Sequence, residues 1–262
     1  MFGIFDSGVG GLSVYRLLEE VFPKAGFIYL GDTAHFPYGE KSEDAIKNFS
    51  LKNADFLISH GANIIIIACH TASALASKTL ERQFNKKGIK IYNVITPTIE
   101  EISHNHIKRL GVIGTRGMIQ SGTYAKRLEG KGIEVIGQAC PLLVSLIEEG
   151  WTDRPETFSI TKHYLEPLKE KEIDALVLSC THYSLIRPMI EKIIGSADIK
   201  VIDPAKVLIK LLKQEIINKK IIIDSNNKTK EFWVTDFPTK FQALSRVFLK
   251  SEVNVKMVNL GL

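Results

Sequence analysis

The sequence has few cysteines for its length, and none are spaced for a disulfide framework. Three cysteines, at positions 69, 140 and 180, occur among 262 residues, so they cannot all pair within the chain, and no C-x-x-C motif is present. We therefore expect free thiols in a reducing compartment.

Long apolar runs are also missing. No stretch approaches the roughly 20 residues that a bilayer span requires. The first residues, 1–6, lack the charged start and apolar core of a signal peptide. We therefore expect a cytoplasmic protein with no membrane partner.

Neither sign of charge dominates the chain. The net charge is +5, from 34 Lys and Arg against 29 Asp and Glu, and a Lys-rich stretch is confined to residues 213–230. Such a stretch is typical of a solvated helix end and loop, and no nucleic-acid motif accompanies it, so we expect no nucleic-acid partner. The mild positive field favours a small anionic substrate.

What the chain does contain is a regular alternation of apolar runs and helical periodicity, with 45% hydrophobic residues. This spacing predicts a doubly wound α/β fold with parallel strands. Within it, the polar residues 31–42 predict a loop, residues 71–84 predict one helix, and residues 224–230 predict a linker.

The strand-then-glycine plan of the N-terminus starts again at residues 109–117. The tail beyond residue 205 is too short for a domain of its own, so we expect it to complete the first domain. The predicted domains are residues 1–95 with 206–262, and residues 96–205.

Two apolar runs of similar form each lead to a cysteine. Residues 64–67 precede Cys69, and residues 175–178 precede Cys180. The carboxyl edge of a parallel sheet is where ligands bind, and the amides of a helix N-terminus favour a thiolate or carboxylate there. We expect the two thiols to face each other across a cleft between the domains.

Opposed thiols suit inversion of a carbon centre without a cofactor. One thiolate removes a proton from a carbon between them, and the other thiol delivers a proton to the opposite face. Because the α-proton of an amino acid is very weakly acidic, the base must be desolvated and well aimed. Asp6, at a strand end, is a candidate to assist Cys69, and Glu148 and His182 are candidates to assist Cys180.

Other classes of protein fit parts of this pattern. A zinc site has acceptable ligand types, although adjacent Cys-His and C-x-H spacings are unusual for a metal; these ligands would be Cys69, His70, Cys180 and His182. A covalent Cys-His hydrolase needs only one thiol. A nonenzymatic ligand-binding protein is compatible with the same composition. Structural packing is the common role of a free cysteine, and we expect it for Cys140.

Several motifs, taken in order, resemble those of one enzyme family. They lie at residues 5–13, 31–34, 37–39, 68–69 with 71–73, 111–115 and 180–183, and the similarity extends to 233–236. The chain resembles glutamate racemases, the cofactor-independent enzymes that supply D-glutamate for bacterial peptidoglycan. The resemblance implies two pseudo-symmetric α/β domains, each with a mostly parallel sheet flanked by helices, with glutamate in the cleft and no cofactor or metal.

The resemblance also assigns roles to residues. It matches Cys69 to the thiol that deprotonates D-glutamate and Cys180 to the one that acts on L-glutamate. The assisting residues it implies are Asp6, Glu148 and His182. The substrate-holding residues are Asp6, Ser7, Pro37, Tyr38, Gly39, His70, Thr71, Thr181 and His182. Aspartate or another acidic amino acid is the alternative substrate, and the oligomeric state stays open, with a homodimer as one arrangement.

One residue departs from the family pattern. His70 stands where the family usually has Asn. A neutral imidazole offers one donor and one acceptor in a different geometry from an amide, and it can become charged. We expect His70 to supply the same hydrogen bond as the usual Asn.

Overall fold

The chain folds around two parallel sheets, seen in a computed structural model that describes residues 1–195, 199–223 and 228–261. In chain order the strands are β1 (Phe2–Asp6), β2 (Phe27–Gly31), β3 (Ile64–Ile67), β4 (Lys90–Asn93), β5 (Arg109–Gly114), β6 (Glu134–Ala139), β7 (Ala175–Ser179), β8 (Lys200–Ile202), β9 (Lys230–Val234) and β10 (Val255–Met257). The first sheet has the order β10-β9-β2-β1-β3-β4, and the second has the order β6-β5-β7-β8.

Helices connect the strands and cover the sheets. They are α1 (Leu12–Val21), α2 (Glu43–Ser59), α3 (His70–Leu75), α4 (Ser77–Phe84), α5 (Ile95–Ser103), α6 (Arg116–Gln120), α7 (Thr123–Leu128), α8 (Pro141–Glu148), α9 (Pro155–Glu170), α10 (Arg187–Ile194), α11 (Pro204–Ile217) and α12 (Pro238–Leu249). Among the described residues, no helix is both long and apolar enough to cross a bilayer.

All the strand pairs are parallel, which confirms the predicted α/β fold class. Central strands β1, β3 and β7 are buried along their whole length because helices cover both faces of each sheet. Strand β9 pairs with β2 and β10 pairs with β9, so the tail contributes two strands to the first sheet. The exact domain boundaries stay a prediction.

Strand register brings polar residues of the two sheets to their carboxyl edges. Phe5 pairs with Ile67, so Asp6 and Ser7 run beside the segment that leads into Cys69. Residues 114 and 179 pair in the second sheet, so the residues that follow them, 115 and 180, also emerge side by side. Parallel strands thus deliver both cysteines to strand ends.

Three local predictions differ from the structure. The helix predicted over residues 71–84 is two helices that break at Ala76, where the Ser77 hydroxyl donates to the Ser73 carbonyl and competes with the backbone. The loop predicted over residues 31–42 contains two short 3₁₀ helices, Thr33–His35 and Tyr38–Glu40.

The third difference concerns the type of helix that follows each cysteine. Helix α3 follows Cys69 directly, whereas a 3₁₀ helix, Thr181–Ile186, follows Cys180 before α10 begins. Helix α9 has no counterpart among the predictions. The predicted linker lies partly outside the described residues, at 224–227, and Lys230 belongs to β9.

Candidate active site

A cavity of ≈ 120 Å³ lies where the carboxyl edges of the two sheets meet, and both Cys69 and Cys180 line it. This volume is several times what one water molecule needs. The predicted residues that line it together with the thiols are Ser7, Pro37, Tyr38, Gly39, His70, Thr71, Thr181 and His182. Asp6 precedes the lining residue Ser7, and Glu148 contacts the lining residue His182. The structure therefore brings the predicted residues together.

The turn between β1 and α1 packs closely against the half of the molecule that carries Cys180. A Cβ atom at Gly10 would lie 2.5 Å from the His182 ring. The Ser13 hydroxyl, one turn further, donates to the Thr181 carbonyl at 3.1 Å. Gly10 thus permits close packing of one half against the other.

Cys69 lies in a buried setting next to the Ser7 hydroxyl. Its thiol donates to the Ser7 hydroxyl at 3.8 Å. Burial raises the pKa of Cys69 to about 12, and the neighbouring Asp6 carboxylate adds to this effect. The resting group is therefore a thiol.

Asp6 lies fully buried beside this thiol. Its Oδ2 atom accepts a hydrogen bond from the Gly8 amide at 3.0 Å, and its Oδ1 atom has no partner among the described residues. Burial raises the pKa of Asp6, although the charge of His182 opposes the increase. Asp6 is thus a carboxyl group whose second oxygen is free for a ligand or a proton.

Cys180 sits in a different environment, beside a charged histidine. The Cys180 Sγ atom lies 3.8 Å from His182 Nδ1, and His182 Nε2 lies 3.1 Å from Glu148 Oε1. Burial opposes protonation of the imidazole, but hydrogen bonds to Cys180 and Glu148 outweigh it and raise the pKa of His182 to about 10. At neutral pH an imidazolium therefore stands next to this sulfur.

Glu148 completes that pair. Burial raises its pKa, but the hydrogen bond and charge of His182, together with Lys240, bring the pKa of Glu148 below its usual value. The carboxylate is therefore ionised opposite the imidazolium.

His70 contrasts with His182, although both line the cavity. Neither ring nitrogen of His70 has a hydrogen-bond partner among the described residues. Burial lowers the pKa of His70 to about 3, so the ring is neutral at ordinary pH. A neutral imidazole has one donor and one acceptor to offer to a ligand.

Tyr38 lines the cavity, but its hydroxyl is engaged inside the protein. The hydroxyl donates to Asp32 and accepts from the Asn53 amide at 3.0 Å. The buried Asp32 carboxylate also contacts His35 and accepts from Thr235, both at 2.8 Å. This network fixes the segment that carries Pro37, Tyr38 and Gly39, so we expect Tyr38 to meet a ligand through its ring or backbone.

Several lining residues have no counterpart among the predictions. Thr115 follows β5 directly, caps α6, and its hydroxyl lies 3.2 Å from that of Thr71, across the cavity. The sequence does give a signal for Thr115: it is a polar residue directly after an apolar strand, just as Cys69 and Cys180 each follow an apolar run. Arg116 and Ser145 also line the cavity, and no local pattern marks them.

The zinc alternative gains no support from this geometry, whereas the Cys180–His182–Glu148 contacts are also compatible with a covalent Cys-His hydrolase, which would leave Cys69 without a role. Among the described residues, no group of three or more His, Cys, Asp or Glu side chains could hold a metal ion, so the zinc alternative is not formed. Cys140 is buried at the start of α8, where its thiol donates to the Gln138 carbonyl at 3.6 Å, apart from this cavity. It fits the predicted packing role.

Comparison with known proteins identifies the family. A family model described as Asp/Glu/Hydantoin racemase matches residues 7–212. The chain belongs to this racemase family. A glutamate racemase of Aquifex pyrophilus is 39% identical over 256 residues, which are 97% of this chain and 96% of that protein. One of Persephonella marina is 39% identical over 261 residues, 99% of this chain and 97% of that protein.

Solved structures of racemases share the architecture. The glutamate racemase of Francisella tularensis in complex with D-glutamate superposes with a TM-score of 0.89 at 36% identity, covering 99% of this chain and 97% of that chain. An aspartate racemase homologue of Pyrococcus horikoshii has a TM-score of 0.55 at 19% identity, covering 81% of this chain and 97% of that chain, and so shares the fold alone. The predicted family resemblance is confirmed, and the chain is an enzyme of the racemase family.

Proposed function

We propose that the chain interconverts L- and D-glutamate without a cofactor, with Cys69 and Cys180 as the two acid–base groups. The observation that carries the proposal is that the two thiols line one cavity, each from the end of a strand in a different sheet. A substrate carbon held between them is accessible from both faces, which inversion requires.

The reaction proceeds through two protonation states of the enzyme. With L-glutamate, the Cys180 thiolate removes the α-proton and the Cys69 thiol delivers a proton to the opposite face. This leaves Cys69 as the thiolate and Cys180 as the thiol, which is the form that D-glutamate requires. The high pKa of Cys69 keeps its sulfur protonated before L-glutamate reacts, and it makes the Cys69 thiolate a strong base for the reverse reaction.

Polar groups around the cavity hold the substrate. The hydroxyls of Ser7, Thr71 and Thr181 and the neutral His70 ring supply hydrogen bonds to its ammonium and carboxylate groups, and Pro37 and Gly39 also line the cavity. Asp6 assists Cys69, and His182 with Glu148 assists Cys180. Fixed donors in a buried site stabilise the developing carbanion more strongly than water does.

Wider parts of the proposal rest on the resemblance. We place the enzyme in the cytoplasm, where it supplies D-glutamate for peptidoglycan. Association into a homodimer is a further prediction. Fractionation of cells and light scattering of the purified protein test the location and the assembly.

The deciding experiment incubates each glutamate enantiomer with the enzyme in deuterated water, without pyridoxal phosphate or added metal. We expect loss of optical activity together with deuterium at the α-carbon. Aspartate in parallel samples tests the alternative substrate. No exchange with either amino acid contradicts the proposal, and exchange with aspartate alone replaces glutamate as the substrate.

A further inference from the structure

We propose that Lys240 is a positioning residue for the Cys180 side of the site, because its ammonium group holds the Glu148 carboxylate against His182. The inference rests on the proposed function and extends it to a residue far from the thiols in the chain. Lys240 lies on α12, which belongs to the tail after residue 205.

A continuous line of contacts links Lys240 to the sulfur. Glu148 uses both carboxylate oxygens: Oε1 lies 3.1 Å from His182 Nε2, and Oε2 lies 3.6 Å from Lys240 Nζ. His182 Nδ1 in turn lies 3.8 Å from Cys180 Sγ. With one cation on each oxygen, the carboxylate plane is fixed, and so is the oxygen that faces the imidazole.

Glu148 is a carboxylate in an unfavourable position. It is the last residue of α8, where the helix dipole disfavours negative charge. Its side chain is only 10% exposed, so burial also disfavours ionisation. The positive charges of His182 and Lys240 together offset the helix dipole and burial. Without Lys240, His182 would be the remaining cation of this pair.

The surroundings of this ion pair strengthen it. Glu148 and Lys240 line a second cavity of ≈ 180 Å³ whose other walls include the apolar side chains of Phe237, Phe241 and Leu244. Apolar walls exclude some of the water that would screen the charges. Lys240 itself is 60% exposed, so we expect an effect of moderate size.

The pair also joins the two halves of the molecule. Lys240 comes from the tail that completes the first sheet, whereas Glu148, His182 and Cys180 come from the half built on the second sheet. The other ionisable groups that act on His182 or Glu148 are Cys180 and Asp6. Lys240, which is largely exposed, reaches this cluster from the solvent side.

The test compares Lys240→Met with Lys240→Arg and with a matched control. The control is Lys162→Met, which removes an ion pair of similar length, 3.7 Å to Glu166, that is exposed on the surface of α9. We expect Lys240→Met to lower kcat about twofold to fivefold and to move the acidic limb of the kcat profile upward by about 0.5 pH unit, because Glu148 protonates more readily. Lys240→Arg restores both values, and Lys162→Met matches the wild type.

A second measurement does not depend on the substrate. Carbon-13 NMR of the glutamate side chains follows the titration of Glu148, assigned by its loss in Glu148→Gln, and Lys240→Met should raise its pKa. If the Glu148 titration and the acidic limb both match the wild type, the inference is wrong even if the enzyme racemises glutamate. If the wild type fails to racemise glutamate but the Glu148 titration shifts, the proposed function fails and the positioning role of Lys240 stands.

Discussion

The two sides of the cavity differ in charge, although they have the same plan. Each thiol follows a buried parallel strand, and each has a histidine close by in sequence. The histidine beside Cys69, His70, is neutral and has no partner among the described residues. The histidine near Cys180, His182, is an imidazolium paired with Glu148.

In the proposed reaction, this difference means that the two enantiomers of the substrate meet thiols with different electrostatic surroundings. The Cys69 side stores a proton on sulfur, because burial and Asp6 hold that thiol protonated. The Cys180 side keeps positive charge next to its sulfur through a buried ion pair. If both thiols act as proposed, equivalent chemistry at the two faces does not require equivalent neighbours.

Replacement of either thiol tests whether both sides are required, and it has the largest expected effect. Cys69→Ser and Cys180→Ser should each lower the racemisation rate by about 10³-fold or more, because a serine hydroxyl is a far weaker acid than a thiol. Circular dichroism should show an intact fold. Cys140→Ser is the control and should stay close to the wild-type rate. Full activity of Cys180→Ser in both directions would rule out the two-base mechanism.

Removal of the imidazolium tests the Cys180 side alone. His182→Asn should lower kcat by about 10²-fold, since the charged donor beside the sulfur is lost and Glu148 is left without its main partner. His70→Asn, the matched change on the other side, should stay within about threefold of the wild type because an amide also supplies one donor and one acceptor. Steady-state rates with both enantiomers measure the contrast. Equal losses in the two variants would remove the proposed difference between the sides.

The stability of the same two variants against pH should change in opposite directions. His182 has a pKa of about 10 in the folded protein against 6.5 ordinarily, so its contribution is full below pH 6.5 and is lost as the pH rises towards 10. His70 has a pKa of about 3 in the folded protein, so below pH 6.5 it is protonated in the unfolded chain but not in the folded one. This difference lowers the stability of the wild type as the pH falls. Urea unfolding should show the deficit of His182→Asn shrinking as the pH rises from about 6.5 towards 10, and His70→Asn gaining on the wild type below about pH 6. Parallel pH curves for the two variants would contradict these assignments.

The smallest predicted effect concerns the hydrogen bonds that hold the cavity-lining segment of Pro37, Tyr38 and Gly39. Thr235→Val removes the hydroxyl that donates to Asp32 at 2.8 Å and accepts from the Ala34 amide at 2.9 Å. We expect KM to rise about twofold to fivefold with kcat nearly unchanged, because the wall segment holds substrate rather than moving protons. A drop in kcat at constant KM would instead place this network in the chemistry.

Sequence patterns predict most of the strands and the placement of the thiols. Strands such as β3 and β7 are continuous apolar runs, and the polar residue that ends each run is visible in the sequence. The broken helix at Ala76 and the long helix α9 were missed because their signals are weak; α9 carries an internal proline, Pro167, and a mostly polar surface. Local patterns report local structure.

Contacts between distant segments were beyond the reach of those patterns. The Thr235 hydroxyl donates to Asp32, which is 203 positions away in the chain, and the Lys240 ammonium lies close to Glu148, which is more than ninety positions away. Such pairs depend on how the tail and the second sheet pack against the first sheet. Composition and periodicity carry no information on that packing, so they predict candidate acid–base groups but not the residues that hold them in place.

The missing side chain at Gly10 has a consequence for the width of the site. A methyl group there would overlap the His182 ring, and relief of the overlap would move the two sheets apart. The rate of proton transfer falls steeply with distance. If the two sheets separated enough to accommodate a methyl group at residue 10, the substrate α-carbon would be out of reach of one of the two sulfur atoms. In the proposed reaction, the absence of a side chain at Gly10 thus helps to set the distance between the two thiols.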